Sequence, residues 1–138
     1  MDEAEARERF AAARVARMAS VDADGHPHLV PIVFAVDGDD VLSIVDAKPK
    51  RTPELKRLRN IAANSNVALL VDEYDEDWQR LWWVRADGEA RVEESGPARD
   101  RAIELLRAKY EQYRTAWSTP VGAAVVVRVT RWRWWTLA

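Results

Sequence analysis

The chain has 138 residues, 48% of them hydrophobic and 32% charged, with a formal net charge of −2; that profile fits one globular domain around a single core and excludes a disordered chain. Its apolar runs are strand-length, short of the roughly 20 residues that cross a bilayer, so no membrane partner is expected. The start MDEAEARERF lacks the basic and apolar segments of a signal peptide, which points to a cytoplasmic protein.

The absence of cysteine rules out a disulfide frame, a thiolate nucleophile and a cysteine-ligated metal. His26 and His28 are the only histidines, and no third ligand pattern lies near them, so no metal site is expected. The glycine-rich phosphate and dinucleotide loops and the serine nucleophile elbow are missing as well. Seven tryptophans, all in the second half, are the unusual feature of the composition.

Residues from about Asp2 to Ala16 read as a helix that closes one end of the fold. A strand from Met18 to Val21 turns at Asp22-Ala23-Asp24-Gly25 and returns through His28–Val36, and Asp37-Gly38-Asp39-Asp40 turns the chain again into Val41–Val45. Pro31 cannot donate to a ladder, which marks an edge or a bulge where backbone groups can meet a ligand. Val41, Leu42, Ile44 and Val45 form a run suited to a buried strand.

That strand ends in Asp46-Ala47-Lys48-Pro49-Lys50-Arg51, a basic turn in an acidic chain. Thr52 has the chemistry of an N-cap and Pro53 that of a first helical residue, so a helix begins there and runs to Asn64. Its free N–H groups beside Lys50 and Arg51 make an anion site, and Arg57, one turn on, faces the same anion. A solvated basic face is the competing reading of these residues.

Val67–Val71 returns as a buried strand, and Asp72–Asp77 is an acidic loop. Leu81–Arg85 and Glu89–Glu93 read as a hairpin about Asp87-Gly88, apolar on both faces at Leu81–Val84. Gly96-Pro97 opens a helix reaching about Tyr113, and Ala123–Trp135 is the last strand. Its apolar phase moves from Val125, Val127 and Val129 to Trp132 and Trp134, which predicts a bulge or a strand that leaves the barrel. The inventory is about seven antiparallel strands with two to three helices, a mostly β or α+β split barrel in one domain over 1–138.

MASVDADGHPHLVPIVFAV, VDAKPKRTPELKRLRNIAANSNVALLVD and DEDWQRLWWVRADGEARV together resemble the split-barrel flavin-reductase superfamily related to pyridoxamine 5′-phosphate oxidase. More narrowly they resemble its branch that uses the deazaflavin coenzyme F420. The resemblance implies a homodimer with paired cofactor sites at its interface. It places the cofactor phosphate at the turn holding Lys48, Lys50, Arg51 and Thr52, with Arg57 beside it. It also runs Pro31, Ile32 and Val33 along the ring system and sets Val45 and Asp46 near the ribityl-like chain. Trp78, Trp82 and Trp83 then close the pocket from the other subunit, with core and dimer packing as the competing role.

The function this implies is hydride transfer from reduced F420 to a small-molecule acceptor. FMN on the same scaffold is the alternative, since the basic turn cannot choose between the two; a non-catalytic carrier is another. Nucleic acid is not expected, because its footprint would be a broadly positive face. No side chain is expected to be an indispensable acid, base or nucleophile, the cofactor carrying the chemistry.

Overall fold

A computed structural model describes residues 1–45 and 52–137, with backbone alone over 52–55. Asp46, Lys48, Lys50 and Arg51 therefore lie outside the described residues. In chain order the elements are α1 (Glu3–Ala12), β1 (Ala16–Val21), β2 (Pro27–Ile32), β3 (Ala35–Asp37), β4 (Asp40–Ile44), α2 (Thr52–Ala63), β5 (Asn66–Glu73), β6 (Trp82–Glu93), α3 (Pro97–Lys109) and β7 (Ala124–Thr136). Short 3₁₀ turns cover Trp78–Arg80 and Glu111–Arg114.

The strands form one antiparallel sheet in the order β2-β1-β5-β6-β7-β4-β3. Its two edge strands, β2 and β3, are consecutive in the chain and joined only by Val33-Phe34, so the sheet curls into a split barrel. The inside is filled by Phe34, Val41, Leu69, Val84, Val125 and Val127, with Phe10 of α1 set against Phe34 and Trp132 at ring distances of 5.1 and 5.2 Å. This is the lid role expected of the first helix, which ends four residues early: Ala13 leaves the helical region and Ala16 already belongs to β1.

A second core lies outside the barrel, where Leu42, Ile44, Ala124 and Val126 meet Ala102, Leu106 and Tyr110 of α3 and its end. β4 is thus apolar on both faces, because Val41 and Val45 point into the barrel while Leu42 and Ile44 pack under α3. The buried run expected for this strand is what the fold uses.

Helix α3 also ends early, at Lys109 and not at about Tyr113, and two predicted strand readings differ in opposite directions. The predicted strand His28–Val36 is two strands, broken at Val33-Phe34, where the Phe34 N–H leaves the ladder for the Tyr110 hydroxyl (3.2 Å). The predicted hairpin about Asp87-Gly88 does not form: β6 runs unbroken from Trp82 to Glu93 between β5 and β7. Gly88 is there for close approach, since a Cβ on it would sit 2.3 Å from the Arg128 carbonyl oxygen.

The register of β6 against β7 shifts between Asp87 and Gly88, where Thr130 is the extra residue and its hydroxyl donates to the Asp87 carbonyl (3.2 Å). The bulge changes the phase of β7, so Trp132 and Trp134 pack against the barrel core and do not leave it. Trp134 Nε1 donates to the Met1 carbonyl at 3.0 Å. Among the described residues, no helix is long and apolar enough to cross a membrane.

Candidate functional site

The break between β2 and β3 opens a cavity of about 390 Å³. One wall is the end of β2, Val30-Pro31-Ile32 with Val33 after it. A second is Ser43 and Ile44 of β4, and α2 contributes Arg57. The segment following α3 completes it with Tyr110, Gln112, Tyr113 and Trp117.

β2 is an edge strand, so one row of its backbone N–H and C=O groups faces away from the ladder and is available to a ligand. Pro31 sits opposite Arg17 in that strand, where a missing N–H costs no pairing on the free edge. Arg57 reaches the cavity because α2 is tied across the barrel: Asn60 Nδ2 donates to the buried Ser20 hydroxyl of β1 at 3.2 Å, and Ile61 enters the barrel core. Arg57 is only 8% exposed, which makes it a desolvated cation on the wall of a mostly apolar space. His28, two residues before Val30, is held below the ordinary imidazole range by burial and by the neighbouring Lys56 and Arg57 cations. It therefore stays neutral beside them.

The opposite wall is fixed by Tyr110. Its hydroxyl accepts from the Phe34 amide and donates to the Arg14 carbonyl (2.9 Å), joining the end of α3 to the α1–β1 link and to the β2–β3 break. Lys109 donates to the Phe34 carbonyl (3.0 Å) with its ammonium 3.9 Å from the Phe34 ring centroid. Burial first, then Arg14, pushes its pKa down to about 8.

The structure brings Pro31, Ile32, Val33 and Arg57 together at one cavity, although Arg57 is 24 or more residues away from the other three in sequence. α2 starts at Thr52, as the Thr52-Pro53 pair predicts to within a residue. Val45 is buried in the barrel core, and its N–H donates to the Ala123 carbonyl (2.8 Å); Ser43 and Ile44 take its expected place on the wall. The three tryptophans line other surfaces of this chain. Trp78 is 62% exposed in a 3₁₀ turn. Trp82 donates to Glu73 (3.0 Å) under the Arg9 guanidinium, and Trp83 lies on the outer sheet face beside Leu70.

Tyr110, Tyr113 and Trp117 are the aromatic wall residues not expected from the sequence, beside Val30, Ser43, Ile44 and Gln112. Their signal was present: α3 stops at Lys109, and three aromatics then fall at intervals of three and four in YEQYRTAW, before the breakers Pro120 and Gly122.

The profile of the pyridoxamine 5′-phosphate oxidase family matches residues 2–137. The chain belongs to that family. Among solved structures, the conserved hypothetical protein Rv2991 from Mycobacterium tuberculosis superposes with a TM-score of 0.79 at 22% identity, over 99% of this chain and 85% of that one. A heme binding protein from Mycobacterium smegmatis gives 0.75 at 19% identity, over 95% of this chain and 52% of that one. HutZ, the heme storage protein of Vibrio cholerae, gives 0.72 at 15% identity, over 97% and 93%. At these identities the likeness is one of fold. No curated protein matches the chain.

Proposed function

We propose that this family member is a coenzyme-dependent oxidoreductase that holds F420 and works as a homodimer, passing a hydride to a small acceptor. FMN is the alternative coenzyme. The observation that carries the reading is the meeting of the free β2 edge at Pro31–Val33 with the buried Arg57 in one apolar cavity. A planar heterocycle with a polar edge and an anionic tail matches that donor set, and the preference for F420 over FMN rests on the sequence resemblance.

When bound, the coenzyme supplies the hydride. The chain's own part is to bind and orient: β2 backbone groups hold the ring edge, Arg57 faces the anionic portion, and the apolar walls exclude water. The Tyr110 hydroxyl is already engaged on both sides, as acceptor and as donor, which fits a structural part and not that of an acid.

Heme is the competing ligand, because two structural relatives are described as heme proteins. Heme iron takes an axial histidine, methionine, cysteine or tyrosine; among the described lining residues that leaves Tyr110, whose hydroxyl is engaged on both sides, and Tyr113. Calorimetric titration of the purified protein with F420, FMN and hemin decides among the three. The reading expects F420 to bind most tightly, and Arg57→Ala to weaken it by roughly 10- to 100-fold through a lost charge-assisted hydrogen bond. A tenfold or larger preference for FMN overturns the choice of coenzyme, and hemin binding with neither flavin overturns the oxidoreductase reading.

A further inference from the structure

Residues 111–122, between α3 and β7, form a strap pinned along its length by arginines of α3 and by its own turns. Arg99 donates to the carbonyls of Gly122 (2.9 Å) and Pro120 (2.7 Å), Arg107 donates to that of Ser118, and the Trp117 N–H donates to the Gln112 carbonyl (2.7 Å). These four guanidinium and backbone contacts hold the strap along its length. They fix where Tyr113 and Trp117 stand.

Those two side chains line the 390 Å³ cavity and also a smaller one of about 100 Å³ beyond it, bounded by Ile44, Pro120 and Val121. They are therefore a partition with free volume on both sides. Trp117 remains 38% exposed despite its place on the wall. Among the described residues, the other walls offer aliphatic side chains, a serine and Arg57, and the large conjugated surface comes from the segment after α3.

We propose that Tyr113 and Trp117 are the stacking wall for the conjugated ring of the ligand, so that the strap selects a flat ring while Arg57 selects its anionic tail. This rests on the coenzyme reading above and deepens it.

The test separates ring from tail. Wild type, Trp117→Ala, Trp117→Phe and Arg57→Gln are titrated with F420, FMN and lumichrome, the bare tricyclic ring without a phosphate, and their melting temperatures are compared. Trp117→Ala is expected to weaken all three ligands by a common factor of about tenfold, with Trp117→Phe within about threefold of wild type, as loss and retention of aromatic stacking imply. Arg57→Gln is expected to weaken F420 and FMN but not lumichrome. Unchanged affinities in a folded Trp117→Ala overturn the stacking wall while leaving the coenzyme reading intact. If wild type binds lumichrome alone, and Trp117→Ala loses it, the wall stands and the coenzyme reading falls. A wild-type protein that binds none of the three overturns both.

Discussion

Tyr110 and Lys109 hold the cavity wall to the barrel through groups that titrate, which gives their contribution a pH dependence. Lys109 has a native pKa of about 8 against an ordinary 10.5, because burial and Arg14 oppose its charge. Between those values the unfolded chain binds the proton and the native one does not, so stability rises with pH across that window. Tyr110 acts the other way: burial raises its pKa above 10.0, so the unfolded chain ionises first and stability falls at higher pH. The groups facing Lys109 are Arg14, the Phe34 carbonyl and ring, and the Tyr110 ring. Urea melts from pH 7.5 to pH 10 are expected to show a rise in wild type that Lys109→Met lacks, and an equal rise in both would assign it elsewhere. Tyr110→Phe strands the buried Phe34 N–H and is expected to cost about 1–3 kcal/mol in the same melts. Single-turnover hydride transfer by that variant should change by less than about tenfold, since a true general acid contributes about 10²–10⁴-fold.

At the scale of elements, the seam between β6 and β7 is the least tolerant part of the sheet. Gly88→Ala drives a methyl group to 2.3 Å from a backbone oxygen, which no side-chain motion can relieve, and is expected to cost about 2–3 kcal/mol. Gly25→Ala, in the open β1–β2 turn at φ +84 with nothing near, should cost only the left-handed conformation, about 1–2 kcal/mol. Comparing the two variants in denaturant separates steric from conformational cost, and an equal loss in both would remove the role given to Gly88. This seam also shows what local sequence conveys. Asp87-Gly88 carries the same short hairpin signal as Asp24-Gly25 and Asp37-Gly38, yet this glycine serves the neighbour strand, information held 40 residues away at Arg128. The phase change of β7 was legible, because it is written in the alternation of Val125–Val129 and Trp132–Trp134 themselves. The three helices and the turns at Gly25 and Gly38 were legible for the same reason, their caps and breakers being local. The split of His28–Val36 was not, since a tyrosine 76 residues on claims the Phe34 amide. At the site, Pro31 and Arg57 could be picked out by type and position. Tyr113 and Trp117 enter it only through the path of the strap after α3.

On the scale of the whole molecule, the outer face of β2, β1, β5 and β6 bears on assembly. Leu29 is 66% exposed and Leu70 36%, and with Trp83 they line a shallow apolar groove between Arg17 and Arg85. Trp132 and Trp134 add nothing to this face, because the bulge at Thr130 turns both against the barrel core. Trp83, in the two-sided apolar stretch Leu81–Val84, lies on it. Patches of this kind, rimmed by charge, mark interaction surfaces. A second copy suits this one, since Arg17 and Asp72, an ion pair at 3.8 Å on its rim, give the patch both signs of charge, which a two-fold axis can set against each other. Light scattering is expected to give a homodimer, with Leu70→Lys shifting it towards monomer because an ammonium would be buried unpaired at the interface. The same variant bears on the coenzyme. If the partner completes the pocket, monomeric Leu70→Lys should bind F420 at least about tenfold more weakly than wild type, a loss of about 1.4 kcal/mol. Wild-type affinity in a monomeric variant would place the whole binding site within one chain, and a wild-type monomer would leave Leu29, Leu70 and Trp83 without the partner assigned to them.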